Sequence, residues 1–120
     1  MADTATLHRW DEIANEDVTA GVNRRYFTAS RVTMARFAMT RGAVVPVHAH
    51  EQEQVSYVVT GALQFVVGGQ EIVVRAGSVL QIPSRVEHGV TVLEDSEVID
   101  VFSPVRQDWI DGTDTYFSRR

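Results

Sequence analysis

An all-β sandwich or barrel is the fold class this sequence predicts. Apolar, β-branched runs recur roughly every eight to twelve residues through the middle of the chain. Turn residues cut the runs apart at Arg41-Gly42, Gly61, Gly68-Gly69 and Ala76-Gly77. No stretch of helical period competes with them before the C-terminal tail.

The elements follow in order. Residues 1–30 are polar and weakly patterned and predict a loosely ordered arm over residues 1–17, then a short strand around Ala20–Phe27. Arg31–Thr40 is extended and rich in apolar residues, and Arg41-Gly42 turns it. Val44–His50 is the next strand, with Pro46 marking an edge or a bend, because proline cannot donate to a ladder. Gln54–Thr60 ends at Gly61, and Ala62–Val67 follows. Gly68-Gly69 is a two-residue hairpin signal that pairs Gln70–Arg75 back on the preceding strand. Val79–Ile82 is short and stopped by Pro83, and His88–Leu93 and Glu97–Phe102 complete the set. Residues 103–120 form a tail, and there is no internal repeat.

Composition narrows the chemistry. A chain of 120 residues with 44% hydrophobic content predicts one domain over residues 1–120, with one core. The net charge of −5 argues against nucleic acid as a partner. All 11 basic side chains are Arg, so no lysine can form a Schiff base or act as a base. Without cysteine, disulfides, thiol nucleophiles and thiolate ligands are excluded. No apolar run approaches the length of a membrane span, and the acidic start is unlike a signal peptide, so a cytoplasmic location is expected by default.

Three of the four histidines carry the main signal. His48 and His50 are two residues apart, so on a strand they share a face, roughly 6–7 Å apart. With Gln54 and His88 they make a set of three imidazoles and an amide that can hold one divalent metal with positions left open. The expected placement has the pair on one strand, Gln54 on the next, and His88 returning from across the barrel. A ligand set without a carboxylate leaves the ion its full charge, which favours Lewis-acid chemistry and weakens retention. Zn, Ni, Fe, Mn and Cu all suit such a site. His8 reads as a surface residue. Glu51 and Glu53 flank the set and read as a solvated loop ahead of supporting partners.

This spacing resembles the two motifs of the cupin superfamily, G-x5-H-x-H-x3-E-x6-G and G-x5-P-x-G-x2-H-x3-N. The first is matched by Gly42, His48, His50, Gln54 and Gly61, with Gln in place of Glu. The second keeps Gly77, Pro83 and His88 but has Arg85 for its second Gly and Val92 for its Asn. The fifteen residues Ala62–Ala76 between the motifs suit a small single-domain cupin. The resemblance implies a jelly-roll β-barrel, and exposed sheet edges predict a homodimer in which the arm pairs with a partner's sheet.

Asp100, Phe102 and Arg106 form a second group. Alternation puts Val98, Asp100 and Phe102 on one face of their strand and Ile99 and Val101 on the other. Either Ile99 and Val101 face the core, with Asp100 in water, or Asp100 and Phe102 face the cavity. Arg106 is open to two readings, a bidentate pair with a ligand carboxylate or a surface salt bridge with Asp108. Arg85 reads as a solvated loop residue before a role at the barrel mouth. Tyr57 and Trp109 read as core before pocket wall or dimer contact.

The run from Asp100 to Trp109 resembles the ending of the small cupins of uronate catabolism, the family of the pectin-degradation protein that acts on 4,5-unsaturated uronates. That resemblance implies a metal held by His48, His50, Gln54 and His88. It also implies Asp100 and Arg106 in catalysis, Phe102 and Arg106 against the substrate, and an isomerising ring opening of an anionic sugar acid. A metal-dependent dioxygenase on an enol or diketone, and a non-catalytic small-ligand binder, are the alternatives.

Overall fold

The computed structural model describes residues 4–114; residues 1–3 of the expected arm and 115–120 of the expected tail lie outside the described residues. Eight strands form one antiparallel sheet: β1 (Glu16–Thr19), β2 (Val22–Thr28), β3 (Thr33–Met39), β4 (Val44–His48), β5 (Glu53–Val67), β6 (Gln70–Arg75), β7 (Val79–Ile82) and β8 (His88–Ser103). A short 3-10 turn, Trp10–Glu12, precedes them, and a five-residue helix α1, Gln107–Asp111, follows. The all-β expectation therefore holds, and the Gly68-Gly69 hairpin joins β5 to β6 in the expected register, Val67 opposite Gln70.

Two pairs of expected strands are each a single long strand. Gln54–Thr60 and Ala62–Val67 are one strand, β5, and the last two expected strands are one strand, β8. The first half of β5 pairs with β7 and the end of β8, and the second half pairs with β6 and the start of β8. Register shifts between Val58 and Leu63 mark the passage from one half to the other. Gly61 sits there with φ +89°, and a Cβ on it would meet Ser96 Oγ and the Asp95 carbonyl and lie 2.8 Å from Ser96 Cα. Glycine at this position bends the strand rather than ending it.

β4 pairs only with β8 among the described strands, with an irregular register between Val45 and His48. An edge strand with a bulge is where Pro46 fits, since its missing N–H breaks no ladder. At the N-terminus β1 begins at Glu16, inside the expected arm, and pairs with β2. The core lies on the inner face of the bent sheet, built by Phe37, Val58, Leu63, Phe65, Val98 and Trp109 among others. One end of this apolar interior turns polar at Gln54, Ser56, His88 and Asp100, all buried.

Candidate functional site

Strand pairing brings the histidines together. His48 and His88 are direct partners in the β4–β8 ladder, with ring centroids 4.4 Å apart. His88 thus comes from the strand paired with β4, not from across the barrel as expected. His50 lies just past the end of β4, its ring 5.6 Å from that of His48 and 4.9 Å from that of His88. One ligand atom from each of the three histidines falls within 4.8 Å of the others. The three-His cluster fits a metal site.

The hydrogen bonds orient all three rings alike. The Nδ1 atoms of His48, His50 and His88 lie 2.8, 3.0 and 2.9 Å from the carbonyl oxygens of Pro46, Gln52 and Val86. A carbonyl only accepts, so each Nδ1 donates and the Nε2 lone pair is left for another partner. Burial holds the rings neutral, with His48 lowered to about 3, His50 to about 4, and His88 also lowered.

His50 Nε2 lies 3.1 Å from Gln54 Oε1. With Nδ1 donating to Gln52, a neutral ring presents a lone pair to an oxygen that also only accepts. The other neutral tautomer moves the same conflict to the Gln52 carbonyl. Imidazolium would resolve it, but burial disfavours that charge. A cation bound between Nε2 and Oε1 satisfies both atoms, so the residues fit a metal ion. The Gln54 amide is turned this way because its nitrogen donates to Ser56 Oγ at 3.0 Å and Asp100 Oδ2 at 3.4 Å.

Asp100 and Phe102 are on the inner face, buried with Val98, while Ile99 and Val101 are only half-buried. Asp100 fits there because its neighbours across both ladders are small, Ala35 on β3 and Ser56 on β5. Burial pushes its carboxyl up to about 7, opposed by the Ser56 hydroxyl and by Arg106. Asp100 Oδ1 and His88 Nε2 have no hydrogen-bond partner among the described residues.

Arg106 is not on the surface. It is 1% exposed, stacked 4.8 Å over the Phe102 ring, and its Nε and Nη2 donate to the Asp108 carboxylate at 3.0 and 2.8 Å. The expected salt bridge with Asp108 forms, but buried, and it occupies the fork that a bidentate ligand contact through those nitrogens would need. Asp108 lies below the usual carboxylate range: burial raises it, and the hydrogen bonds and charge of Arg106 outweigh that.

Trp109 is buried against Phe102 and lines the cavity, whereas Tyr57 is 40% exposed, so core packing is corrected for Tyr57. Glu53 accepts from Gln81 on the surface, and Glu51 is exposed, so neither supports the histidines. His8 is exposed and stacks on Phe27. Arg85 is exposed, and its backbone N–H donates to the His50 carbonyl at 2.8 Å.

Sequence reasoning passed over Gln52 and Ser56. Gln52 is buried; its carbonyl fixes His50 and its amide donates to the Val105 carbonyl at 2.9 Å. Ser56 stands two residues after Gln54, and that same-face spacing was the available signal. The shared cavity, about 40 Å³, is lined by His48, Gln54, His88, Asp100, Arg106 and Trp109 above an apolar floor. That volume takes an ion and a few waters, so a larger ligand lies partly outside it.

Residues 35–102 match the family model of the cupin domain. The chain belongs to the cupin family. This cupin is 31% identical over 103 residues to the pectin degradation protein KdgF of Dickeya dadantii, across 83% of this chain and 94% of the relative. It superimposes on the structure of KdgF from a Halomonas species with a TM-score of 0.82 at 33% identity, covering 88% of this chain and 99% of that one. An RmlC-like cupin from Shewanella frigidimarina gives a TM-score of 0.81 at 31% identity, covering 88% and 96% of the two chains. The departures of this cupin from the motifs concern single positions. At one of them, Arg85 takes φ 67°, the left-handed conformation that the glycine of the motif adopts without cost. Among the described residues no helix is long and apolar enough to cross a membrane.

Proposed function

We propose that this cupin is a metal-dependent enzyme that opens 4,5-unsaturated uronates to linear 4-deoxy-5-keto sugar acids. One observation carries the reading: a buried carboxylate, Asp100, has one oxygen against Gln54 and the other without a partner, in the cavity that His48 and His88 line. The likeness to two KdgF proteins supports the substrate class.

His48, His50, Gln54 and His88 would hold a divalent transition metal, of the Zn, Ni, Fe, Mn or Cu class, which when bound supplies Lewis-acid polarisation of sugar oxygens. The remaining work falls to the chain. The bond from C1 to the ring oxygen breaks as the anomeric hydroxyl gives up its proton, leaving an aldehyde and an enolate. A proton then arrives at C4 as the enolate becomes a ketone. The atoms balance and no oxidant is consumed. Asp100 accepts the hydroxyl proton and returns a proton to C4, using the oxygen that has no protein partner. Arg106, fixed by Asp108, offers its charge to the substrate carboxylate, and Phe102 forms the wall beneath it. The apolar floor keeps bulk water from the enolate.

The same reading makes the bent sheet a closed jelly-roll barrel over one domain, and makes the protein a homodimer. Tyr57 and Val79, partners across β5 and β7, are both exposed and give a second copy an apolar surface to cover.

The test is anaerobic incubation of metal-loaded protein with 4,5-unsaturated galacturonate, followed by loss of its ultraviolet absorbance. We expect acceleration that disappears on metal stripping and falls roughly a hundredfold or more in Asp100→Asn. A rate equal to the spontaneous one, or full activity in Asp100→Asn, overturns the reading. Oxygen uptake with an enol substrate would instead favour a dioxygenase, and stabilisation by the sugar without turnover a binding protein.

A further inference from the structure

Among the described residues three buried side-chain polar atoms have no hydrogen-bond partner: His88 Nε2, Asp100 Oδ1 and Trp109 Nε1. All three belong to residues that line one cavity. Native proteins rarely bury such atoms unpaired, and a group of them around one space marks a ligand that completes them. The proposed function uses the first two. It leaves the indole N–H of Trp109 without an assignment, although Trp109 is 4% exposed and cannot turn to solvent.

The packing of Trp109 tells what it would meet. Its ring is fixed by Phe102 at 5.1 Å and Tyr26 at 5.2 Å, and the Tyr26 hydroxyl donates to its carbonyl at 3.3 Å. Two guanidinium carbons lie close to the ring, Arg24 at 4.1 Å and Arg106 at 4.3 Å. Arg24 is itself held by Glu16 and Asp114, at 2.9 and 3.3 Å. Both guanidinium groups are ion-paired, Arg24 with Glu16 and Asp114 and Arg106 with Asp108, so their charge at the ring is offset. The buried, unpaired N–H calls for a strong acceptor, and a carboxylate oxygen is the strongest that a sugar acid offers. Trp109 is also in the turn of chain that begins at Arg106, so the two donors keep a fixed relation to each other.

We infer that Trp109 is a specificity-determining residue whose indole N–H donates to a carboxylate oxygen of the ligand beside Arg106. The inference rests on the proposed function for the identity of the sugar acid; the buried, unpaired N–H is independent of it. Arg24 is then a positioning residue that acts through the indole ring.

Trp109→Phe keeps an aromatic ring and removes the donor, and 3-benzothienylalanine at this position replaces N–H by sulfur with the ring system retained. Metal-loaded wild type and both variants would be titrated with galacturonate and its methyl ester, and assayed with the unsaturated uronate. The 3-benzothienylalanine variant is expected to melt no lower than wild type without ligand, since a buried unpaired donor is gone, whereas Trp109→Phe should melt lower because the smaller ring leaves a cavity. Galacturonate should bind at least about tenfold more weakly to them, with KM rising more than kcat falls, and the methyl ester should bind all three proteins alike. Galacturonate affinity and KM within twofold of wild type overturn the inference, as does a wild type that neither binds galacturonate nor saturates with the uronate. Binding that depends on the N–H in a protein without ring-opening activity leaves the inference standing and the proposed reaction refuted.

Discussion

Gln54 and Asp100 meet diagonally across the β5–β8 ladder, where the amide nitrogen lies 3.4 Å from Asp100 Oδ2. The same amide turns its oxygen to His50. One neutral side chain therefore faces the metal cluster with an acceptor and the carboxylate with a donor, which glutamate cannot do.

Gln54→Glu separates these two tasks. A carboxylate adds an anionic ligand and should slow loss of metal to a chelator. It also places two carboxylates side by side and removes the donor to Asp100. We expect tighter metal retention together with a roughly hundredfold loss of uronate turnover. Metal content after dialysis against a chelator, compared with kcat, checks both halves. Retained activity would show that the neutral amide is not required.

Metal addition should stabilise the fold by linkage. At a free concentration a hundred times Kd, one site adds about 2.7 kcal/mol. Melting with and without Zn, Ni or Mn measures it. His50→Ala and His88→Ala should abolish most of the shift, because each removes one of three convergent imidazoles. A shift that survives both variants would place the ion elsewhere.

The Arg106–Asp108 pair gives a pH signature in stability. Asp108 titrates below its unfolded value of 3.8, so its contribution is present above that value and is lost as pH falls through the lower folded value. Asp108→Asn should melt below wild type at pH 6, and the gap should close as pH falls below 3.8. Side-chain exposure of 31% at Asp108 keeps the effect modest. A gap that is constant with pH would assign the loss to packing rather than charge.

The histidine cluster was legible because spacing survives folding. His48-x-His50, Gln54 and His88 come together through ladder pairing that alternation and glycine turns already encode. The continuity of β5 was not legible, because Gly61 reads as a stop in sequence and acts as a bend in three dimensions. Asp100 stood undecided between faces, since alternation gives parity and not direction. Ala35 and Ser56, distant in sequence, supply the room that settles it. The burial of Arg106 depends on Phe102, Asp108 and Trp109 closing around it, a tertiary arrangement no local pattern carries.

Two left-handed positions should respond oppositely to substitution. At Gly61 a side chain meets both an unfavourable φ and the backbone of residues 95 and 96, so two costs add. Gly61→Ala should destabilise by about 3 kcal/mol or more. At Arg85 the side chain is exposed and the only cost is conformational, roughly 1–2 kcal/mol. Arg85→Gly relieves that cost but loosens the unfolded chain, which takes back about 0.4–1 kcal/mol. The net change should lie between about 0 and 1.6 kcal/mol in favour of the variant. Urea unfolding of both variants at one pH checks the pair. A loss of stability on Arg85→Gly, or none on Gly61→Ala, would show that the left-handed φ does not decide the outcome.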